Sequence, residues 1–147
     1  MNEYLNGLSN SLEYMSHEHI GDDAIIITCR VKRGGAVCPY CGRESEKANC
    51  RYKRKLKDLP FGDKKVTLIV WFNNYFCANS ECSHKTFAES VDFVSPFSVR
   101  TKRLDGQIIT FASNGSGIGT ERCMKRNYAN VSDTTINRIL KKNRLAR

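Results

Sequence analysis

The stretch Cys38-Pro-Tyr-Cys41-Gly42 constrains this chain more than any other. Two cysteines three apart, with a glycine behind them, let the backbone curl until both sulfurs face one point. A second pair, Cys77 and Cys82, follows downstream as C-x4-C. Four thiolates are the closed tetrahedral ligand set of one structural zinc ion, with no position left for a reacting water. The pairs are separated by residues 42–76, longer than the usual gap of roughly 15–20. That gap holds a predicted strand, so the metal would clamp the end of a β-hairpin to the first knuckle. Two alternatives stand beside this: a redox C-x-x-C, which no βαβ pattern supports, and buried thiols without metal. His84 is an alternative fourth ligand, though its default is a surface or packing histidine. Cys29, Cys50 and Cys123 lack paired spacing and read as small buried hydrophobes.

Metal rather than cystines also fits the expected compartment. The N-terminus has neither the basic residues nor the apolar run of a secretory signal. The longest strictly apolar run, Leu68–Phe72, is too short to span a membrane. A cytoplasmic location is expected, where disulfides are disfavoured.

Charge is unevenly spread. The net charge is +9. Residues 1–28 hold five acids and no Lys or Arg, while residues 98–147 hold 11 Lys/Arg against 3 Asp/Glu, a net +8. A polyanion is the natural partner of such a surface, although a soluble basic protein would look the same by charge alone.

The expected fold class is α+β: a small zinc-ribbon β domain followed by a three-helix domain. The boundary falls near residues 94–100, giving units 1–96 and 97–147. Residues 1–20 carry a weak helical pattern at Leu5, Leu8, Leu12 and Met15. The β-branched residues 24–31 predict a strand, and Lys65–Phe76 a second, with Pro60 and Gly62 marking the turn before it. Leu104, Ile108, Phe111 and Ala112 predict one helix face over residues 101–113. A second helix is predicted from about Ile118 to Asn127, and a third from Ser132.

Two basic elements are candidates for phosphate contact. One is the run Arg51-Tyr52-Lys53-Arg54-Lys55-Leu56-Lys57, where Arg51, Lys53, Arg54 and Lys55 would meet phosphates. The other is the helical trio. Ser132 is a good N-cap. With Ile136, Ile139 and Leu140 inward, Thr134, Asn137, Arg138 and Lys141 face out, together with Asp133. Asn and Arg suit bidentate contacts with adenine and guanine edges, and Thr135 and Thr134 can also approach bases. This is what the recognition helix of a helix-turn-helix requires. Arg122, Lys125 and Arg126 on the preceding helix, and Arg100, Lys102 and Arg103 on the first, would sit near phosphates. A plain three-helix bundle with a wet face is the competing reading.

These stretches together resemble the N-terminal part of the ISL-three family of bacterial insertion-sequence transposases. The resemblance rests on Cys38-Pro-Tyr-Cys41-Gly42, Asp58-Leu59-Pro60, Tyr75-Phe76-Cys77 through Cys82, and Thr86-Phe87-Ala88-Glu89. It continues through Arg100-Thr101, Leu104, Ser116-Gly117 and Val131-Ser132, with Thr135 and Arg138. It implies zinc ligation by Cys38, Cys41, Cys77 and Cys82, and contact with terminal inverted repeats by the helix beginning at Ser132. Asn73 and Asn74 stand where that family usually has arginines. The chain ends at Arg147, before the segment in which the family carries its catalytic carboxylates, so no enzyme activity is expected of it.

The expected function is sequence-specific binding of duplex DNA, as the DNA-binding part or a truncated derivative of a transposase. The expected partners are DNA and either a second copy or full-length transposase, with no membrane and no small-molecule substrate. The alternatives are an RNA-binding zinc ribbon, in which Tyr52, Trp71, Phe72 or Tyr75 stack on unpaired bases, a stand-alone transcriptional regulator, and a protein-only adaptor.

Overall fold

Alternate residues of the run at 24–31 are apolar, and as a strand they place Ile25, Ile27, Cys29 and Val31 on one buried face. The computed structural model describes residues 1–115, 117–127 and 131–145. In chain order the elements are α1 (Asn2–Leu8), β1 (Leu12–Ile20), β2 (Ala24–Val31), β3 (Ala36–Val37), β4 (Glu44–Ser45), β5 (Ala48–Phe61), β6 (Lys64–Phe76) and β7 (Thr86–Ala88). Three helices follow: α2 (Lys102–Ser113), α3 (Gly117–Asn127) and α4 (Asp133–Leu145). The fold is α+β, with four helices among the described residues.

The main sheet runs β1-β2-β6-β5. The hairpins β1–β2 and β5–β6 are antiparallel, and they join through a parallel β2–β6 ladder from Ala24↔Lys65 to Arg30↔Trp71. β7 takes over that edge of β6 beyond β2, at Asn74–Phe76. The weak helical pattern of residues 1–20 is corrected here: the helix stops at Leu8, and Leu12 and Met15 lie in β1. Strand pairing with β2 outweighs a sparse periodicity. The acidic N-terminal stretch therefore supplies a helix and an edge strand of the sheet. The β part is also larger than a ribbon, because the knuckle hangs on one end of this sheet.

One core lies on the face formed by Ile25, Ile27, Val66, Leu68, Val70, Phe72 and Leu56, covered by Leu5 of α1 and by Phe93 and Val94. A second gathers Leu104, Ile108 and Ala112 of α2 with Met124, Val131 and Ile136, and Leu59 at the end of β5 packs against it. The two cores meet at Asp58, whose side chain is fully buried. Its carboxylate accepts from the Tyr4 hydroxyl at 2.8 Å, the Thr101 hydroxyl at 2.6 Å and Arg103 Nε at 2.9 Å, with the second Arg103 nitrogen completing a bidentate pair. Thr101 Oγ1 also caps α2 by accepting from the Leu104 amide. One hydroxyl thus joins the carboxylate to the helix start. Burial, and then the adjoining Asp58 charge, push the Tyr4 hydroxyl far above its usual range, so it stays a donor.

The connection into α2 contains a strained turn. Ser98 N bonds Ser95 O at 3.1 Å around Pro96-Phe97, and Phe97 has φ 61. This is a type II pattern, which ordinarily places glycine at Phe97's position. Arg54 pins the turn by donating to Ser95 O at 3.3 Å and to Ser98 O, with its guanidinium 5.2 Å from the Phe72 ring centre. The Phe97 side chain is fully exposed.

Two outcomes are expected. Removing the buried carboxylate by Asp58→Ala strands Arg103 and should cost about 3–5 kcal/mol in urea unfolding; a loss under about 1 kcal/mol would mean that Arg103 finds water instead. Phe97→Gly relieves about 1–2 kcal/mol of left-handed strain, less about 0.5–1 kcal/mol for glycine's freedom in the unfolded chain. The urea midpoint should therefore rise slightly, and a clear fall would show that the ring has a packing role.

Candidate metal centre and basic surfaces

The sheet brings the two cysteine pairs together by changing which face of β6 is covered. Val66, Leu68, Val70 and Phe72 point into the main core, whereas Asn73 and Tyr75 are buried on the opposite face. There Tyr75 packs with Phe87 and Cys38, against Cys77 and Cys82. β3 and β4 form the small hairpin that carries the first pair, with Val37↔Glu44 as the rung beside it. Cys38 N bonds Arg43 O at 2.9 Å, and Gly42 N bonds Cys38 O at 2.8 Å, closing the knuckle. Gly42 has φ 78, a conformation that suits glycine and explains its place behind Cys41. On the other side Cys77 N bonds Lys85 O at 2.8 Å.

The four sulfurs lie within 4.8 Å of one another. Cys38 and Cys82 are 3.9 Å apart, and Cys41 and Cys77 are 3.5 Å apart. Four sulfurs at the zinc–thiolate distance around a tetrahedron would be separated by about 3.8 Å. The donor set therefore fits zinc in number, chemistry and spacing. The Cys41 thiol is lowered to about 7, first by the Arg43 amide that its sulfur accepts. Cys77 beside it is raised to about 12, so the pair keeps a proton near neutrality that metal binding would displace. Bound zinc would neutralise thiolate charge and hold the knuckle to the sheet. His84 does not join the sulfur cluster; it is exposed and stacks on Tyr40 with ring centres 3.5 Å apart. Of the other cysteines, Cys29 is buried and Cys50 is exposed, contrary to its reading as a buried hydrophobe. Cys123 is intermediate.

The predicted basic residues fall into two groups. Several are already engaged. Arg54 holds the 95–98 turn, Arg103 holds Asp58, and Arg100 Nε pairs with Asp105 at 2.7 Å. Arg51 Nε donates to Asn73 Oδ1 at 3.0 Å. Asn73 itself is fully buried and donates to Val31 O at 3.2 Å, so at this position the side chain bonds strands together. The second group is exposed: Lys53, Lys55, Lys102, Arg122, Lys125, Arg138 and Lys141. None of these forms an ion pair among the described residues. The Arg126 side chain lies outside the described residues.

On α4, Ile136 is buried, with Ile139 and Leu140 half-covered, while Thr134, Asn137, Arg138 and Lys141 face out. Ser132 Oγ accepts from the Thr135 amide at 3.2 Å, the expected cap. Glu121 of α3 accepts the Asp133 amide at 2.9 Å, which ties the two helices at their junction.

Residues 35–82 match the family model for the zinc-finger of transposase IS204/IS1001/IS1096/IS1165. The match takes in the knuckle and the β5–β6 hairpin and ends on Cys82, so it contains all four sulfur ligands. Cys38, Cys41, Cys77 and Cys82 are thus a single structural zinc site, in a segment similar to that zinc-finger family. No curated protein and no solved structure matches the chain. No described helix is long and apolar enough to cross a membrane.

Cys41→Ser should abolish stoichiometric zinc and raise hydrogen exchange in the 36–45 and 77–88 segments. The main core contains no zinc ligand and should stay protected. Full zinc content with unchanged exchange would remove Cys41 from the ligand set.

Proposed function

We propose that this chain is a sequence-specific duplex-DNA binder in which the zinc-stapled sheet carries a helix-turn-helix, and that its target is the terminal inverted repeat of an insertion element. The observation that carries this reading is the exposed face of α4. It presents Thr134, Asn137, Arg138 and Lys141 from a helix whose opposite side is anchored by Ile136. A short, capped helix with Asn and Arg pointing outward has the donors and acceptors to read base edges in a major groove. Arg122 and Lys125 on α3 are exposed beside it, where phosphates would run. The matched transposase zinc-finger segment supports DNA as the polyanion. Ser132 and Thr135 are placed at the N-terminal end of α4, the end that enters the groove in this mode of binding. The expected role is recognition rather than strand chemistry.

The distribution of engaged and unengaged cations sharpens the residue assignment. Arg100 and Arg103 serve the fold, so the phosphate contacts of the helical unit fall to Lys102, Arg122 and Lys125. Single-stranded RNA is the competing ligand, and it would be drawn to the sheet rather than to α4.

Selection of the zinc-loaded protein on a random duplex pool at physiological salt should enrich one motif. Arg138→Ala should then cost about 1–3 kcal/mol and relax preference at one base position. A uniform loss on all sequences would make Arg138 a phosphate contact. No enrichment, with tight binding to single-stranded RNA, would overturn the reading.

A further inference from the structure

The sequence run at 51–57 looks like one block of charge, but as part of β5 it is sorted by strand alternation. Arg54, Leu56 and Asp58 turn toward the covered face, where the Arg54 and Asp58 side chains are both engaged. Lys53, Lys55 and Lys57 turn to the other face, and all three are exposed. Two contacts fix their side. Lys53 Nζ sits 5.7 Å from the Trp71 ring centre, and Lys57 Nζ donates to Thr67 Oγ1 at 3.1 Å. Their cross-strand neighbours on this face are Trp71, Ile69 and Thr67. None of these belongs to a buried cluster. Lys65 projects from the same face of β6 by the same alternation.

The location of this ladder matters as much as its charge. At the Ala48 end of β5, the same face of β6 carries Tyr75 and the zinc module. At the other end, Lys55 and Lys57 line one groove with Val99, Arg100 and Val131, the residue just ahead of α4's cap. The lysines therefore bridge the ground between the metal centre and the start of α4. Alternate strand residues are spaced about 6.6–6.8 Å apart, so three lysines in a row present a regular line of positive charge to a phosphate backbone. The acids of this face, Glu13 and Glu18, lie on β1 at the far edge of the sheet, and Glu13 is already paired with Arg30 at 2.7 Å.

We propose that Lys53, Lys55 and Lys57 form a sequence-independent track for the phosphate backbone of duplex DNA, continuing the duplex read by α4 across the open sheet face toward the zinc module. This rests on the reading of α4 as a DNA-contacting helix. The track contributes affinity and footprint length, and base preference stays with α4.

The test compares the zinc-loaded full chain with its Lys53→Gln/Lys55→Gln/Lys57→Gln variant on the duplex enriched by selection and on random duplex. All three positions are exposed, and zinc content with circular dichroism verifies folding. Each phosphate that a lysine neutralises adds about 0.9 to the slope of log affinity against log salt, so the variant's slope should be shallower by about 2.7. Affinity should fall on both duplexes while their ratio holds. Trp71 is the chain's single tryptophan, so its emission should change when duplex binds the unmodified protein and much less in the variant. An unchanged slope and affinity in the variant would overturn the track, even where Arg138→Ala still relaxes sequence preference and α4 stands. Loss of preference in the lysine variant would also overturn it, by making the lysines readers. Absence of salt-dependent duplex binding by the unmodified protein would bring down both the track and the α4 reading.

Discussion

An ionised carboxylate removed from water costs several kcal/mol unless donors surround it, and Asp58 draws its donors from two other parts of the chain. Tyr4 comes from α1, Thr101 and Arg103 from the start of α2, and the carboxylate itself from the end of β5. Each partner is itself held. The Arg103 guanidinium lies 4.6 Å from the Tyr4 ring centre, and Thr101 N bonds Lys57 O at 3.0 Å. The orientation of the helical trio relative to the sheet therefore depends on satisfying one buried charge. Leu59, the next residue, inserts into the helical core and adds an apolar anchor at the same point. Through this junction α2, against which α4 packs, is tied to the end of the lysine-bearing strand.

The metal end is organised by a different device. β6 is covered on one face as far as Phe72 and on the other from Asn73 onward. One continuous strand thus serves the main core with half its length and the zinc module with the rest. The changeover is bridged by Asn73, which bonds β2 through Val31 O and also contacts Glu89 beyond β7. Burial raises the Glu89 pKa even though Asn73 and Arg51 favour its charged form. Zinc would close the module where apolar area is small: among the described residues its buried cluster holds Cys38, Tyr75 and Phe87.

Much of this was readable from the residues. Cysteine spacing named the four sulfurs, because ligand geometry tolerates few sequences. The β-branched run marked out β2 from end to end, and apolar spacing placed α2 and the start of α4 within a residue. What could not be read depends on partners distant in sequence. β1 carries polar residues at most positions and becomes a strand by pairing with β2. β5 hides its alternation because Arg54 and Asp58, both charged, occupy inward positions that periodicity assigns to apolar side chains. For the same reason Arg54 and Arg103 look like phosphate contacts in sequence, although their acceptors are a turn carbonyl and a buried acid. Composition counts cations, but it does not say which of them the fold has already used.

The parallel ladder between β2 and β6 has a consequence for how such a chain comes into being. A ribosome releases the β1–β2 hairpin first, with the outer edge of β2 still bare. Its partner is finished only at Phe76, and the metal set only at Cys82. Between those events the nascent chain carries an unpaired strand edge and two unmatched thiols, the condition in which partly made proteins associate wrongly. The connection from β2 to β6, which contains β3, β4 and β5, makes this pairing a non-local, slow step. The acidic first residues that emerge with the hairpin give that vulnerable intermediate a charge opposite to the basic remainder still to come.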